Sequence, residues 1–347
     1  MKHPAQIDIA VLMLFFNRPD SLKKVFEQVR KARPSQLFLY QDGPRGPQDM
    51  PGIMACRQIV EEIDWECRVE RNYRPQNQGC DPSGYLSHKW AFSLADKVMV
   101  LEDDVVPSQS FFPFCKEMLD RYEHDPRISM IAGFNVDEVT KDVPHDYFFT
   151  SAFSIWGWAS WRRVVDQWDG EYRFLDDPFT VRQLEGIAKK QRLRGDYMTM
   201  CRHHKQSGKP YFESIFWSAM LMNNGLAVMP SRNLISNVGA TTDSTHFSTE
   251  LATMPHRLRR IFTMQRHELD FPLRHPAHVM EYTDYKERLY KVNAWGHPWT
   301  KVCYSLEELW LNLRQARFSV ILKALSRRLR KWTGTEKHRY TSRCSAA

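Results

Sequence analysis

Apolar segments of strand length alternate with helix-forming segments through the first hundred residues. The strand candidates are Ile9–Phe16, Gln36–Tyr40, Cys67–Arg71 and Val98–Leu101, and a segment that favours a helix follows each of the first three. Strands that alternate with helices are typical of a parallel sheet covered by helices on both faces. We therefore predict an α/β fold with a doubly wound, mostly parallel sheet.

Three consecutive acids, Glu102, Asp103 and Asp104, directly follow the fourth strand candidate. Burying carboxylates at a strand end is unfavourable unless a positive charge compensates them. Ligands of open α/β sheets bind outside the carboxyl ends of the strands. A hard divalent cation with oxygen ligands, Mn²⁺ or Mg²⁺, would compensate the acids and carry substrate phosphates. The alternative is an acidic, solvated turn.

The composition is that of a globular protein. Hydrophobic residues make up 42% of the 347 residues, and the 11 Trp, 13 Tyr and 20 Phe suit sugar or nucleobase stacking as well as a large core. The seven cysteines are scattered without a Cys-x-x-Cys pair, which argues against a zinc site and a disulfide framework. The chain shows no signal-peptide core and no bilayer-length apolar segment, so we expect a cytoplasmic protein.

Positive charge is concentrated at the C-terminal end. The net charge is +8, and residues 312–347 contain ten Lys or Arg against one acid, Glu336. One helical face of this segment carries Phe318, Ile321, Leu322, Leu325, Leu329 and Trp332. A basic amphipathic tail predicts binding to an anionic membrane, on the inner face for a cytoplasmic protein. A helix docked on the protein body is the alternative, and we expect no nucleic acid because no nucleic-acid-binding module is recognisable.

Polar residues also follow the first two strand candidates. Asn17 and Arg18 come after the first, and Asp42 and Gly43 after the second. A carboxylate there can accept hydrogen bonds from a base or ribose, and glycine lets the backbone approach a ligand. An ordinary Asp-Gly turn is the alternative for Asp42 and Gly43. Arg18 is a candidate for a phosphate contact or for a pair with Asp20.

A third polar loop precedes the next helix. Asn77-Gln-Gly79 can offer backbone N–H groups to a diphosphate, and Lys89 can offer a cation. An exposed helix lysine is the alternative for Lys89. The loop lacks the spacing of a P-loop or of a dinucleotide-binding motif.

These motifs occur in an order that resembles the GT-A-fold glycosyltransferases. The resemblance covers residues 7–247, and Glu102-Asp103-Asp104 is similar to the family's Asp-x-Asp metal motif in the form found in inverting N-acetylglucosaminyltransferases. It implies that Asp104 binds the metal, while Glu102 and Asp103 hold the ribose and sugar of the donor. It also implies a nucleoside-diphosphate-sugar donor, with UDP favoured.

Three later residues fit the same resemblance. Trp158, within Gly157-Trp-Ala-Ser-Trp161, resembles the loop that lines the sugar pocket, although a core tryptophan is the alternative. Glu213 stands where family members carry the candidate catalytic base, an Asp after Trp; a helix acid favoured by the macrodipole is its alternative. His246 is a candidate extra ligand for the metal or diphosphate, or a solvated loop histidine.

The resemblance implies a metal-dependent glycosyltransferase, inverting, that acts on a hydroxyl of a saccharide or lipid-linked saccharide in cell-surface polysaccharide or glycolipid assembly. The alternatives are a sugar-1-phosphate nucleotidyltransferase, which should carry a Gly-rich loop after the first strand, and a non-catalytic membrane-surface binding protein.

We predict a catalytic domain over 1–247, an extension over 248–311 that packs on it, and the tail over 312–347. We also predict one basic helical stretch, Glu185–Gly208.

Overall fold

The computed structural model describes residues 2–193, 195–239, 251–322 and 326. In these residues two sheets are surrounded by helices. The strands are β1 (Ile7–Phe15), β2 (Pro34–Gln41), β3 (Arg68–Tyr73), β4 (Lys97–Glu102), β5 (Val105–Pro107), β6 (Ile128–Ala132), β7 (Tyr147–Thr150), β8 (Trp158–Trp161), β9 (Leu226–Pro230) and β10 (Ile235–Asn237).

The helices fall between the strands in the first half of the chain and follow one another near its end. They are α1 (Pro19–Ala32), α2 (Met50–Val60), α3 (Cys80–Leu94), α4 (Phe111–Arg121), α5 (Arg162–Val165), α6 (Pro178–Lys190), α7 (Tyr197–Ser207), α8 (Phe212–Met222), α9 (His256–Ile261), α10 (Thr283–Val292) and α11 (Pro298–Arg314). Short 3₁₀ turns lie at Pro47–Asp49, Arg173–Asp176 and Leu251–Thr253.

Eight strands form the main sheet, in the order β3-β2-β1-β4-β8-β6-β9-β7. The first four are mutually parallel, so their carboxyl ends lie at one edge of the sheet. β8 runs antiparallel to both β4 and β6. The predicted α/β class with a mostly parallel sheet is confirmed.

The central strands of the main sheet consist largely of buried apolar side chains. Val11 and Leu12 in β1, Leu37 and Phe38 in β2, and Val98 in β4 are all fully buried. Strands covered on both faces are expected to be apolar throughout rather than alternating. This is why the apolar runs of the first half predict their strands well.

The chain after β4 departs from the prediction. The strands β5, β7, β8 and β9 were not expected from the sequence, because they have three to five residues and their aromatic and apolar side chains would suit any buried segment. The single stretch Glu185–Gly208 is instead two helices, α6 and α7. Between them Arg192 has a left-handed φ of 53°, which does not continue a helix.

The C-terminal helices differ in how they pack. α10 buries Tyr285, Leu289 and Tyr290, and the Tyr282 N–H before it donates to the Phe149 carbonyl of β7 at 2.7 Å. In α11 Asn312 is the one buried side chain. The predicted boundary at 247 falls within 240–250, outside the described residues, so the division into domains stays a prediction. Among the described residues, no helix combines the length and apolarity needed to cross a membrane.

Candidate active site

The acid triplet lies at the carboxyl edge of the parallel half of the sheet. Glu102 is the last residue of β4 and pairs with Leu14 of β1. Asp103 and Asp104 form the turn into β5 and are only 3% and 9% exposed. The sheet therefore brings the acids beside the residues that follow β1 and β2.

Arg18 compensates much of this buried charge. Its guanidinium donates to Asp103 Oδ1 at 2.5 Å and lies 3.1 Å from Asp104 Oδ2. The Phe16 N–H donates to the other oxygen of Asp103 at 3.1 Å. Neither alternative stated for Arg18, a phosphate contact or a pair with Asp20, describes these contacts. Asp103 is likewise a link between β1 and β4 rather than a carboxylate left open for a donor.

The triplet still carries more negative charge than one arginine offsets. Burial, together with repulsion from Asp104 and Asp103, raises the pKa of Glu102. Burial also raises the pKa of Asp103, and Arg18 acts in the opposite direction. Both shifts mean that the folded protein resists further negative charge here and would gain from another cation.

One oxygen of Asp104 is a candidate metal ligand. Its Oδ1 is buried and has no hydrogen-bond partner among the described residues. Buried carboxylate oxygens normally have a partner, so a bound cation would explain this one. Across the described ranges no three or more His, Cys, Asp and Glu side chains are arranged as a metal site. The described residues thus offer Asp104 Oδ1 as a candidate ligand but do not form a metal site by themselves.

The chain after β10 returns to Asp104. The Val238 N–H donates to the Asp104 carbonyl at 2.8 Å, and a Cβ on Gly239 would lie 1.9 Å from Asp104 Oδ2. Only glycine permits this approach. His246 lies seven residues further on, outside the described residues, so its predicted ligand role stays a prediction.

Glu213 lies on the same side of the protein as the triplet. It occupies the first turn of α8 and is close enough to Glu102 to contribute to the raised pKa of that residue. Cys80, the first residue of α3, lies within electrostatic range of both carboxylates. Sequence reasoning did not select Cys80, because a cysteine outside any motif carries no signal of its own.

Asp42, Asn77 and Gly79 hold one another rather than an open ligand position. Asp42 accepts from the N–H groups of Gly43 and Gln78 through Oδ1, both at 2.9 Å. Its Oδ2 accepts from Asn77 Nδ2 at 2.9 Å and from the Gly79 N–H at 3.1 Å. The two oxygens of Asp42 thus organise the loop before α3, and a hydrogen bond from a base or ribose is not supported as their main role.

Gly43 and Asn17 also have structural partners. A Cβ on Gly43 would lie 2.4–2.6 Å from the backbone of Gln76, so its close neighbour is the adjacent loop rather than a ligand. Asn17 Nδ2 donates to Asp49 Oδ1 at 2.9 Å, and Arg45 binds the same carboxylate. These contacts link the turn after β1 to the loop after β2.

Two predicted donor-binding residues lie elsewhere. Trp158 is fully buried in β8 and packs against His88, Phe212 and Phe216, a placement that favours the core alternative over the predicted sugar pocket. Lys89 Nζ donates to the Val165 carbonyl at 3.1 Å and links α3 to the end of α5. It lies more than two helical turns beyond Gly79, so the structure does not bring it to the loop.

Two solved structures share part of this architecture. Mouse xyloside xylosyltransferase 1, in its apo form, is 12% identical, and the match covers 64% of this chain and 84% of that one with a TM-score of 0.36. The inositol-1-phosphate CTP transferase from T. maritima is 9% identical, with coverage of 74% and 96% and a TM-score of 0.36. No family model and no curated protein matches the chain. At this level of similarity the activity has to be inferred from the chain's own residues.

Proposed function

We propose that the chain is a glycosyltransferase that moves a sugar from a nucleoside-diphosphate donor to a hydroxyl of a saccharide or lipid-linked saccharide. The observation that carries this proposal is the buried, unpartnered Oδ1 of Asp104 at the carboxyl edge of a parallel sheet. A site that is acidic, buried and open to one more cation suits a ligand that brings its own phosphates with a metal. The resemblance stated above favours UDP and inversion.

The proposed cofactor is Mn²⁺ or Mg²⁺. Asp104 would hold it through Oδ1, and His246 is the candidate second protein ligand. When bound, the cation would offset the negative charge of the diphosphate leaving group. Arg18 keeps Oδ2 of the same carboxylate in place and so orients Asp104.

Glu213 is the proposed base. As the acceptor oxygen bonds to the sugar carbon, the bond from that carbon to the diphosphate breaks, and the hydroxyl proton passes to the Glu213 carboxylate. Its electrostatic effect on Glu102 supports this role, because it puts Glu213 within interaction range of the acid triplet. We place the reaction at the cytoplasmic side of cell-surface polysaccharide or glycolipid assembly.

A thermal-shift screen tests the donor site. Nucleoside diphosphates and nucleotide sugars are added with and without Mn²⁺, since a ligand that binds only the folded state raises the melting temperature. We expect a Mn²⁺-dependent rise with one nucleotide in the native chain and none in Asp104→Asn. The matched control is Asp166→Asn, which makes the same change at an exposed carboxylate.

The result is decisive in both directions. Stabilisation that Asp166→Asn retains and Asp104→Asn loses supports the proposed site. A well-folded native sample that no nucleotide stabilises would contradict the glycosyltransferase proposal. An assay of sugar transfer to an acceptor is the second experiment. We expect Glu213→Gln to bind the donor as the native chain does and to lose turnover.

A further inference from the structure

Large apolar side chains face solvent along one side of α11. Trp299, Leu306 and Trp310 are 79%, 61% and 56% exposed. The α11 stripe, as we name the set, consists of Trp299, Val302, Leu306, Leu309, Trp310 and Leu313. Their spacing of 3, 4, 3, 1 and 3 residues puts all six on one helical face.

The opposite side of α11 provides its contacts with the protein body. Tyr304 Oη donates to the Val292 carbonyl at 2.9 Å, and Glu307 accepts from the His256 N–H at 2.8 Å. Asn312 is the helix's one buried side chain. The body therefore holds α11 by its polar side, and the six side chains of the stripe remain 41–79% exposed in the described residues.

An exposed face of this size calls for a partner. Isolated surface hydrophobics are ordinary, but contiguous apolar patches mark interaction sites. Beyond the end of α11, Phe318 and Leu322 are also exposed, by 58% and 66%. The interaction surface thus begins before residue 312, where the sequence alone had placed its start.

Charge decides which partner fits. Residues 312–347, which include the end of α11 and the sequence after it, hold ten Lys or Arg against one acid. A helix with an apolar face, tryptophans and an adjoining basic segment is suited to the boundary between anionic headgroups and acyl chains. No described helix is built to cross a bilayer, so binding would be parallel to the surface.

A second copy of the chain fits less well. Cys303 and Ser305 lie beside the stripe at positions that pair in a coiled coil, and neither offers an interhelical ion pair. Parallel pairing would also bring two strongly basic segments together. Lipid headgroups, in contrast, would neutralise that charge.

We infer that the α11 stripe is a membrane-binding face that inserts into the surface of an anionic bilayer, with the basic segment after it held by the headgroups. Binding through this face would bring the protein, with the candidate site at the carboxyl edge of its sheet, to a lipid surface. A lipid-linked acceptor of the proposed reaction would lie at the same surface. Binding itself needs neither nucleotide nor metal, so it stands or falls independently of the reaction proposed above.

Vesicle co-sedimentation of the full chain tests this inference. Vesicles of phosphatidylcholine alone are compared with vesicles containing phosphatidylglycerol, without nucleotide, at low and high salt. We expect binding to the anionic vesicles, weakened by salt. Leu306→Glu should reduce the partition coefficient by roughly tenfold or more, because a charge replaces a residue inserted into the apolar layer.

Lys301→Gln is the matched control. It lowers the net charge by one, as Leu306→Glu does, but changes an exposed residue on the other side of the same helix. It should keep binding within about twofold, consistent with one rim charge among many. Circular dichroism confirms that both variants are folded.

Three outcomes would overturn the inference. The first is no binding to anionic vesicles by the native chain. The second is binding that survives Leu306→Glu, which would assign the interaction to the basic segment alone. The third is a lipid-free dimer, measured by light scattering, that Leu306→Glu dissociates, which would make the face an interface between copies.

Discussion

His88 illustrates how strongly the interior of this protein acts on a single titratable side chain. It is 1% exposed, and its ring lies 4.3 Å from Phe212, 5.2 Å from Trp158 and 5.8 Å from Trp168. Burial in this aromatic cluster lowers the pKa of His88 to about 3. The folded protein therefore keeps the imidazole neutral at all ordinary pH values.

We expect His88 to make the protein acid-sensitive. Between the ordinary pKa of 6.5 and the folded value of about 3, the unfolded chain binds a proton that the folded chain does not. The contribution of His88 to the free energy of unfolding should be constant above pH 6.5 and should fall below it, by up to about 1.4 kcal/mol per pH unit. Urea denaturation at pH 7.5 and pH 5.0 measures this.

A non-titrating side chain should remove that contribution. His88→Leu is expected to flatten the pH dependence, whereas the same change at exposed His124 should leave it as in the native chain. If His88→Leu and the native chain lose stability equally between the two pH values, the buried histidine is not its source.

The turn after β2 and the loop before α3 form one unit. Asp42 receives four N–H groups, three from residues 77–79, and Gly43 allows the backbone of Gln76 to come within contact. At this scale the sequence predicted that polar residues follow the strands, but it did not predict that they bind one another. Hydrogen bonds between two loops 35 residues apart have no local signature in the sequence.

A methyl group at Gly43 should break this unit. We expect Gly43→Ala to lower the free energy of unfolding by about 1–3 kcal/mol, since the new Cβ has to displace backbone rather than a flexible side chain. The measurement is urea denaturation monitored by circular dichroism.

Gly186 provides the control. It lies in α6, and a Cβ there would meet nothing within 4 Å. Alanine should therefore stabilise the protein by up to about 1 kcal/mol through helix propensity. Equal effects of the two substitutions would show that Gly43 and Gln76 are not closely packed.

At the scale of the whole molecule, the described residues comprise the sheet with its packed helices and α11, which buries a single side chain. β1, β2 and β4 form its buried centre, and α10 packs against β7. α11 contributes hydrogen bonds and one buried side chain. Its apolar residues add little to the stability of the protein in water, whatever they do at a membrane.

We expect a chain shortened to residues 1–296 to stay folded. Its melting temperature should fall by less than about 4 °C, because removing α11 exposes little apolar surface. A chain shortened to 1–282 serves as the control and should lose cooperative melting, since it lacks the buried Tyr285, Leu289 and Tyr290. If residues 1–296 also melt without a cooperative transition, α11 is part of the folded core.

Much of the fold was predictable from sequence, and less of the site was. Fully buried strands are apolar throughout, so β1, β2 and β4 could be read locally, and the acids after β4 stand out for the same reason. Trp158 shows the limit: a tryptophan beside glycine suits a ligand pocket or a core equally, and only the position of β8 between β4 and β6 decides that it is buried.

The sequence by itself determined the α/β class, the carboxyl edge at which polar residues collect and the basic segment at the end of the chain, because each depends on residues close together along the chain. Only the tertiary structure decided the partners: Arg18 on Asp103 and Asp104, Asp42 on the loop of Asn77, and the solvent-facing stripe of α11. The contacts of Arg18 and Asp42 join segments that are distant in sequence, whereas the side chains of the α11 stripe stay exposed in the described part of the chain. Whether such segments come into contact depends on the packing of the whole sheet and its helices.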